Sequence, residues 1–265
     1  MPLPARSFRD MAIYEFQGST VPIIRFTEIG STNAEGLARL ARGETMPVWL
    51  VSDIQSAGRG RRGRSWTSEL GNLFATLVLP NPAPVANLAQ LCFVAGLAVR
   101  DAVLAAAPQI SPESLKLKWP NDLLLDGGKL SGILVEGGAD ATGRSAAVIG
   151  FGVNCLHHPV DLPYRATSLE AAGAPVAPDR LLEALDLAMA VRLNQWNAGS
   201  GFPVIRSDWM RHALGMGDQV SVKIGEREVI GRFENLDARG AMMLRRRDGV
   251  AEIITAGDVS LRLPE

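Results

Sequence analysis

Gln55-Ser56-Ala57-Gly58-Arg59-Gly60-Arg61-Arg62-Gly63-Arg64-Ser65-Trp66 is the stretch on which the reading of this chain turns. From Gly58 to Arg64 it holds four arginines and three glycines. Glycine lets a backbone fold tightly around a ligand. Guanidinium groups grip phosphate and carboxylate oxygens in pairs. The stretch follows Pro47-Val48-Trp49-Leu50-Val51-Ser52, a short apolar run of the kind that makes a buried strand. A loop of this composition at the end of a strand suits a polyanion with a reacting phosphorus. Its spacing matches neither the P-loop nor the dinucleotide fingerprint. An Arg-Gly nucleic-acid patch or a solvated charged loop has the same composition. The preceding strand and the single occurrence of the motif weigh against both.

Outward from this loop the chain alternates strands and helices. Upstream, Ser31-Thr32-Asn33 precedes a segment in which Ala34, Leu37, Ala38 and Ala41 recur at helical spacing, with Gly43 as a stop. This predicts a short helix with a hydroxyl or amide cap. Downstream, residues 72–79 predict a strand stopped by Pro80. Residues 87–107 predict a long apolar helix with Leu88, Leu91, Ala95, Ala98, Ala102 and Ala105 on one face. Runs at 115–119, 123–125, 130–136 and 145–153 read as strands, with hairpin chemistry at Asp126-Gly127-Gly128. Helices are predicted at 180–196 and 202–214. Beyond Gly217, short alternating runs separated by turn signals predict five strands in 219–263, hence a small barrel, with a boundary near 215–218.

Two further segments carry candidate chemistry. In Gly128-Lys129-Leu130-Ser131-Gly132, Lys129 starts an apolar strand between glycines. It reads either as a fixed charge aimed into a cleft or as a hairpin-edge lysine. Asn121-Asp122 follows Trp119-Pro120 and can likewise be only a turn. In Ile149-Gly150-Phe151-Gly152-Val153-Asn154 the strand glycines mark either a close approach by a ligand or another backbone, or a bulge.

Composition sets bounds. The 265 residues are 47% hydrophobic and 21% charged, enough for a full core in one or two domains. A formal net charge of −1 argues against a general nucleic-acid binder, so any basic site is local. Cys92 and Cys155 sit in apolar runs and read as buried reduced thiols. They make no disulfide framework or zinc pattern. Residues 1–11 lack the layout of a signal peptide, and each long apolar run is broken by Gly, Pro or charge. A cytoplasmic location with no membrane partner is the expectation. His157 and His158 precede Pro159 in a loop, and no metal role is assigned to them.

The segments STN (31–33), DIQSAGRGRRGRSW (53–66), KLKWPNDLLL (116–125), GGKLSGILVEG (127–137) and IGFGVN (149–154) resemble, in order and spacing, the biotin protein ligase family. The C-terminal GRFENLDARGAMML resembles the small barrel that ends those ligases. The resemblance implies an α+β catalytic domain over 1–216, related to class II aminoacyl-tRNA synthetases and lipoate ligases. An SH3-like β-barrel follows over 217–265. It implies activation of biotin by ATP to biotinyl-5′-AMP plus pyrophosphate, then transfer to a lysine of a biotin carboxyl carrier protein domain. Mg²⁺ would accompany ATP.

Residue by residue, the resemblance places Ser31, Thr32, Asn33, Gln55, Arg59, Gly60, Arg61, Lys129 and Gly132 around biotin. Leu134 would lie along its chain. Arg59, Arg61, Arg62, Trp66, Asn121, Lys129 and Asn154 would face ATP or the adenylate. Arg61, Lys129 and Asp122 would carry catalysis, with Asp122 orienting the acceptor amine or taking its proton. Bifunctional members carry an N-terminal helix-turn-helix domain. About twenty-five residues precede the first motif here, so a monofunctional type without a DNA partner is expected. Phe151 stands where many relatives have a smaller or aliphatic residue. A lipoate or octanoate ligase is the nearest alternative, and the arginine loop with the KWPND and GKLSG pair favours biotin.

Overall fold

The computed structural model describes residues 21–139 and 143–261. Residues 1–11, read above for a leader, lie outside these. The described residues form a seven-stranded sheet, four α-helices and a five-stranded C-terminal sheet. The first sheet has the order β1 (Ile23–Ile29), β2 (Val48–Gln55), β3 (Leu73–Pro80), β7 (Ser145–Val153), β6 (Gly128–Ala139), β5 (Asp122–Leu125), β4 (Leu115–Lys118). Only β1 and β2 pair in parallel; the other ladders are antiparallel. The sheet is therefore mixed, as the α+β reading requires.

Side-chain alternation gives this sheet two unlike faces. Trp49, Val51, Ala75, Leu77, Ile149, Phe151 and Val153 belong to the main core with α2 (Leu91–Ala106), α3 (Pro178–Trp196) and α4 (Phe202–Arg211). Leu50, Val78 and Val148 form a smaller cluster under α1 (Thr32–Ala41). A Cβ on Gly36 would stand 2.9 Å from Val148, so glycine lets α1 lie close on the strands. Ser31 caps this helix, its Oγ accepting from the Ala34 N–H at 3.4 Å.

Helix α2 is buried on nearly every side. With the turn before it, Val85–Ala106 is long and apolar enough by composition to cross a membrane, but 72% of that apolar window is buried inside the fold. Arg100, almost fully buried on it, donates to the carbonyls of Pro112 and Leu115. Both cysteine thiols are pushed up to about 12 by burial, in keeping with inert reduced thiols.

Three local expectations need correction. Residues 23–29, for which the sequence predicts no element, form the edge strand β1, whose alternation of half-buried and exposed residues is a weak apolar signal. Helix α4 stops at Arg211 rather than 214 because the chain leaves the helix to pair with β4: Leu117 N donates to His212 O and Leu214 N to Leu117 O, both at 2.8 Å. The long β6 runs from Gly128 to Ala139, because β7 pairs with it as far as Ala139. The β5–β6 hairpin is as expected: Asp126 and Gly127 both have positive φ, as a two-residue turn of this hand requires.

The C-terminal sheet, in the order β11 (Ala251–Ile254), β10 (Met242–Arg245), β9 (Arg227–Leu236), β8 (Gln219–Ile224), β12 (Asp258–Leu261), supplies the five expected strands. Its ladders leave β11 and β12 at the two edges. One hydrophobic cluster runs from α2 and the large sheet into Phe233, Leu236 and Met242. The β9–β10 turn docks beside β4, where Trp119 Nε1 donates to Gly240 O at 3.0 Å. Gly240 also lies so close to Phe93 that a Cβ there would overlap the ring. Trp119→Phe keeps an aromatic ring but removes the N–H that satisfies that carbonyl and part of the buried indole, so thermal melts should show a loss of at least ~1–3 kcal/mol.

Candidate active site

A cleft of about 400 Å³ opens on the face of the large sheet that also carries α1. That is a small-molecule volume. Its floor is made by glycines. Gly132 of β6 and Gly152 of β7 are register partners, and the Trp66 indole lies across both. A Cβ on Gly132 would stand 2.8 Å from the indole, and one on Gly152 would overlap it. Gly150 does the same for Asn33, whose amide occupies the space a Cβ would need. The β7 glycines, left open above between a bulge and the approach of a ligand or backbone, instead make room for side chains. The visitors are the side chains of Asn33 and Trp66, and β7 pairs in regular register on both sides. Phe151 points the other way, into the core beside Trp49, with ring centroids 5.8 Å apart. Its larger ring is therefore accommodated away from the cleft.

One end of the cleft is uncharged and hydrogen-bonding. Ser31, Thr32 and Asn33 are brought there by the start of α1, and Gln55 by the end of β2. Gln55 Oε1 accepts from the Thr32 N–H at 2.9 Å and lies 3.1 Å from its hydroxyl. Gln55 Nε2 donates to Ser68 Oγ at 3.1 Å. Asn33 Nδ2 donates to Leu134 O at 3.1 Å and to Glu136 Oε2 at 3.0 Å. Buried Thr76 of β3 contacts both Thr32 Oγ1 and Asn33 Oδ1.

The other end is cationic. The arginine loop closes on itself: Gly60 N donates to Arg64 O at 2.7 Å and Trp66 N to Gly58 O at 2.9 Å. Arg62 and Gly63 take positive φ at the tip, where Gly63 carries no Cβ to clash. Arg61 donates to Asn121 Oδ1 at 2.9 Å, and Asn121 Nδ2 donates to Ile133 O at 2.8 Å. Arg59 forms an ion pair with Glu136. Lys129 Nζ lies 2.8 Å from Asp122 Oδ1, off the direction of a hydrogen bond, so the contact is ionic. The ammonium is also flanked by the rings of Trp66 at 5.4 Å and Tyr164 at 5.6 Å. Lys129 is thus a cleft cation rather than a solvated hairpin lysine.

Ser31, Thr32, Asn33, Gln55, Arg59, Gly60, Arg61, Trp66, Asn121, Lys129 and Gly132 all line this one cleft. Asp122 stands behind Lys129. Exposed Arg62 faces a separate outer hollow of the arginine loop. Asn154 lies outside the lining. It is buried beneath β6 with Nδ2 donating to Thr167 O at 2.9 Å and Lys129 O at 3.4 Å, so it clamps the backbone that carries Lys129. Sequence reasoning missed Thr76, Glu136 and Tyr164. The one signal for Thr76 was a lone hydroxyl in the apolar run LFATLVLP. Tyr164 arrives on a loop anchored by backbone bonds between Lys129 and both Arg165 and Thr167. No periodicity could announce it.

A cleft with neutral donors and acceptors at one end, a glycine and indole midsection and cations at the other suits an elongated ligand with an uncharged polar head and an anionic tail. Comparison with known proteins agrees. Residues 26–154 match the biotin/lipoate A/B protein ligase family, and residues 215–262 match the biotin protein ligase C-terminal domain. A biotin–[acetyl-CoA-carboxylase] ligase of Paracoccus denitrificans is 38% identical over 244 residues, which is 86% of this chain and 96% of that protein. The chain belongs to the biotin protein ligase family. The biotin–[acetyl-CoA-carboxylase] ligase of Mycobacterium tuberculosis is 36% identical over 265 residues, with 97% and 95% of the two chains covered. The biotin protein ligase of Aquifex aeolicus in complex with biotin and ATP superposes with a TM-score of 0.75 at 28% identity, over 91% of this chain and 98% of that one. The first family match spans the cleft residues from Ser31 to Gly152 and leaves out Leu162, Pro163 and Tyr164.

Proposed function

We propose that this biotin ligase activates biotin with ATP to biotinyl-5′-AMP and transfers the biotinyl group to a lysine of a biotin carboxyl carrier domain. The observation that carries the reading is the polarity of the cleft, neutral at Thr32 and Gln55 and cationic at Lys129 and Arg61. A ureido ring needs both donors and acceptors, which hydroxyl and amide groups supply. The valeryl chain would run past Gly132 and Leu134. The biotin carboxylate is ionised at neutral pH and needs no base. Its oxygen attacks the α-phosphorus, the bond to the bridging oxygen breaks, and pyrophosphate leaves.

The residues of this chain lower the repulsion between the two anions. Lys129 stands between carboxylate and α-phosphate, and Arg61, held by Asn121, faces the phosphate. Magnesium enters with ATP as part of that substrate. In the second step the acceptor amine attacks the acyl carbon and AMP leaves. Cations around the site favour the neutral amine, and Asp122, ion-paired to Lys129, would orient that amine or take its proton. A division at 216/217, a cytoplasmic location and the absence of DNA and membrane partners complete this reading.

The test is direct. Incubation with biotin, MgATP and a carrier domain should add one biotinyl group to the carrier lysine, read by mass spectrometry. Lipoate in place of biotin should not. Preferential lipoylation would instead make the cleft a lipoate site.

The arginine loop gives a second measurement. Arg59, Arg62 and Arg64 are exposed, and Arg61 is half-buried. Trypsin should cut first after the exposed arginines. Biotin with MgATP should slow cutting across 59–64 several-fold, because an adenylate phosphate adds charge-assisted bonds and closes the loop over a hydrolysable anhydride. ATP alone should protect weakly. Equal rates with and without both ligands would make the loop a rigid preformed cradle.

A further inference from the structure

The neutral end of the cleft has a hydrogen-bond polarity that its geometry determines. A backbone N–H can only donate, so the bond from Thr32 N at 2.9 Å makes the facing Gln55 atom the oxygen. Gln55 Nε2 therefore faces Ser68 Oγ. A backbone carbonyl can only accept, so the bond at 3.1 Å to Leu134 O makes that Asn33 atom the nitrogen. The second Asn33 N–H goes to Glu136. Asn33 Oδ1 then points at Thr76 Oγ1, 2.7 Å away, and Thr32 Oγ1 stands 2.8 Å from the same hydroxyl. Thr76 is fully buried, and its strand pairs it with Leu50 on one side and with Gly150 on the other. Gly150 is the glycine over which Asn33 lies.

We propose that Thr76 is a positioning residue for recognition of the ureido ring: its one hydroxyl holds Thr32 and Asn33 side by side and so sets which donors and acceptors this end of the cleft presents. With the Thr76 proton on Asn33 Oδ1, the 2.8 Å contact takes the Thr32 proton, so Thr32 Oγ1 donates to Thr76 Oγ1. Gln55 Oε1 then accepts the Thr32 N–H and keeps a second lone pair. The groups left for a ligand are lone pairs on Thr32 Oγ1 and Gln55 Oε1, the second N–H of Gln55 and the hydroxyl of Ser31. That set is two acceptors and two donors, the complement of urea N–H groups beside a urea carbonyl. Removing the Thr76 hydroxyl leaves Asn33 Oδ1 without its donor in a buried place and Thr32 Oγ1 without its acceptor, so the two side chains lose the group that joins them. The residue touches no substrate in this account and acts only through its neighbours.

The inference rests on placing the ring at this end, so the experiment separates the two. Steady-state pyrophosphate release is measured with biotin and with ATP varied, for Thr76→Val, Thr76→Ser and Gln55→Ala. Valine keeps the shape and the branching while losing the hydroxyl. Thr76→Val should raise KM for biotin about tenfold or more, with kcat and KM for ATP within about twofold, and Thr76→Ser should return KM to within about threefold. Desthiobiotin, which keeps the ureido group, should lose as much as biotin in the valine variant. Octanoate, which lacks it, should compete equally well with wild type and variant.

If Gln55→Ala raises KM for biotin and Thr76→Val does not, the ring is where we put it and the role of Thr76 is refuted. If neither changes KM, the ring placement fails and the inference with it. Equal losses in kcat and in KM for both substrates would show a merely structural residue and also overturn the proposal. Should the valine variant fail to fold, Thr76→Cys serves in its place, with a weak S–H donor and an expected KM between those of serine and wild type on one side and Gln55→Ala on the other.

Discussion

Lys129→Met should cut biotinyl-AMP formation by ~10²–10³-fold or more, the scale seen when a preorganised charge-stabilising donor is lost. Lys129 is the cleft cation between the neutral end and the arginine loop, flanked by Trp66 and Tyr164. Methionine keeps length and apolar contact with those rings while removing the charge. The same change leaves Asp122 without its counterion, with side chains of the pair only 15% and 16% exposed. Breaking a fully buried pair costs ~3–5 kcal/mol, and this partly screened one should cost less. The variant should therefore melt below wild type. Adding Asp122→Asn should recover most of the stability and none of the adenylation. Pyrophosphate release and thermal melts of the two variants read both quantities. Wild-type turnover in Lys129→Met would remove the lysine from the chemistry.

Gly152→Ala should be nearly as damaging by a different route. A methyl group there would overlap the Trp66 indole, which has the Gly132 backbone beneath it and Lys129 beside it. The indole must leave its place over the two glycines. Overpacking of this kind costs ~1–3 kcal/mol of stability, and displacement of a cleft wall by an ångström is enough for a ~10²-fold loss in rate. Biotin titration by calorimetry should show the loss directly. Gly138→Ala is the control, because a Cβ there meets nothing within 4 Å and its φ is not in the positive range. If Gly152→Ala binds biotin like Gly138→Ala, the indole is not a wall of the binding site.

These two residues also show how far the chain could be read without coordinates. Lys129 stood out because a lysine between glycines at the start of an apolar strand is unusual, and because its segment resembles a family motif. Nothing local said that its partner would be Asp122: that pairing arises from the β5–β6 hairpin. Gly152 stood out as a glycine in a strand. The group that needs its missing side chain comes from Trp66, eighty-six residues earlier, and only the β3–β7 and β6–β7 ladders bring them together. Asn154 went the other way. Its motif pointed to the nucleotide, but the structure gives its amide to Thr167 O and Lys129 O.

What the sequence by itself determined was local or repeated. Helical spacing, the Ser31 cap, the Asp126-Gly127 turn, the five C-terminal strands and the concentration of guanidinium groups at 59–64 are all written within a few residues, where covalent geometry and residue chemistry act directly. What only the tertiary structure decided was long-range pairing. The edge strand β1, the end of α4 at Arg211, Thr76 beneath Thr32 and Asn33, Glu136 between Asn33 and Arg59, and Tyr164 over Lys129 each depend on groups distant along the chain. A buried polar group must find a partner wherever packing puts one, and that choice is made by the whole sheet rather than by its own neighbours in sequence.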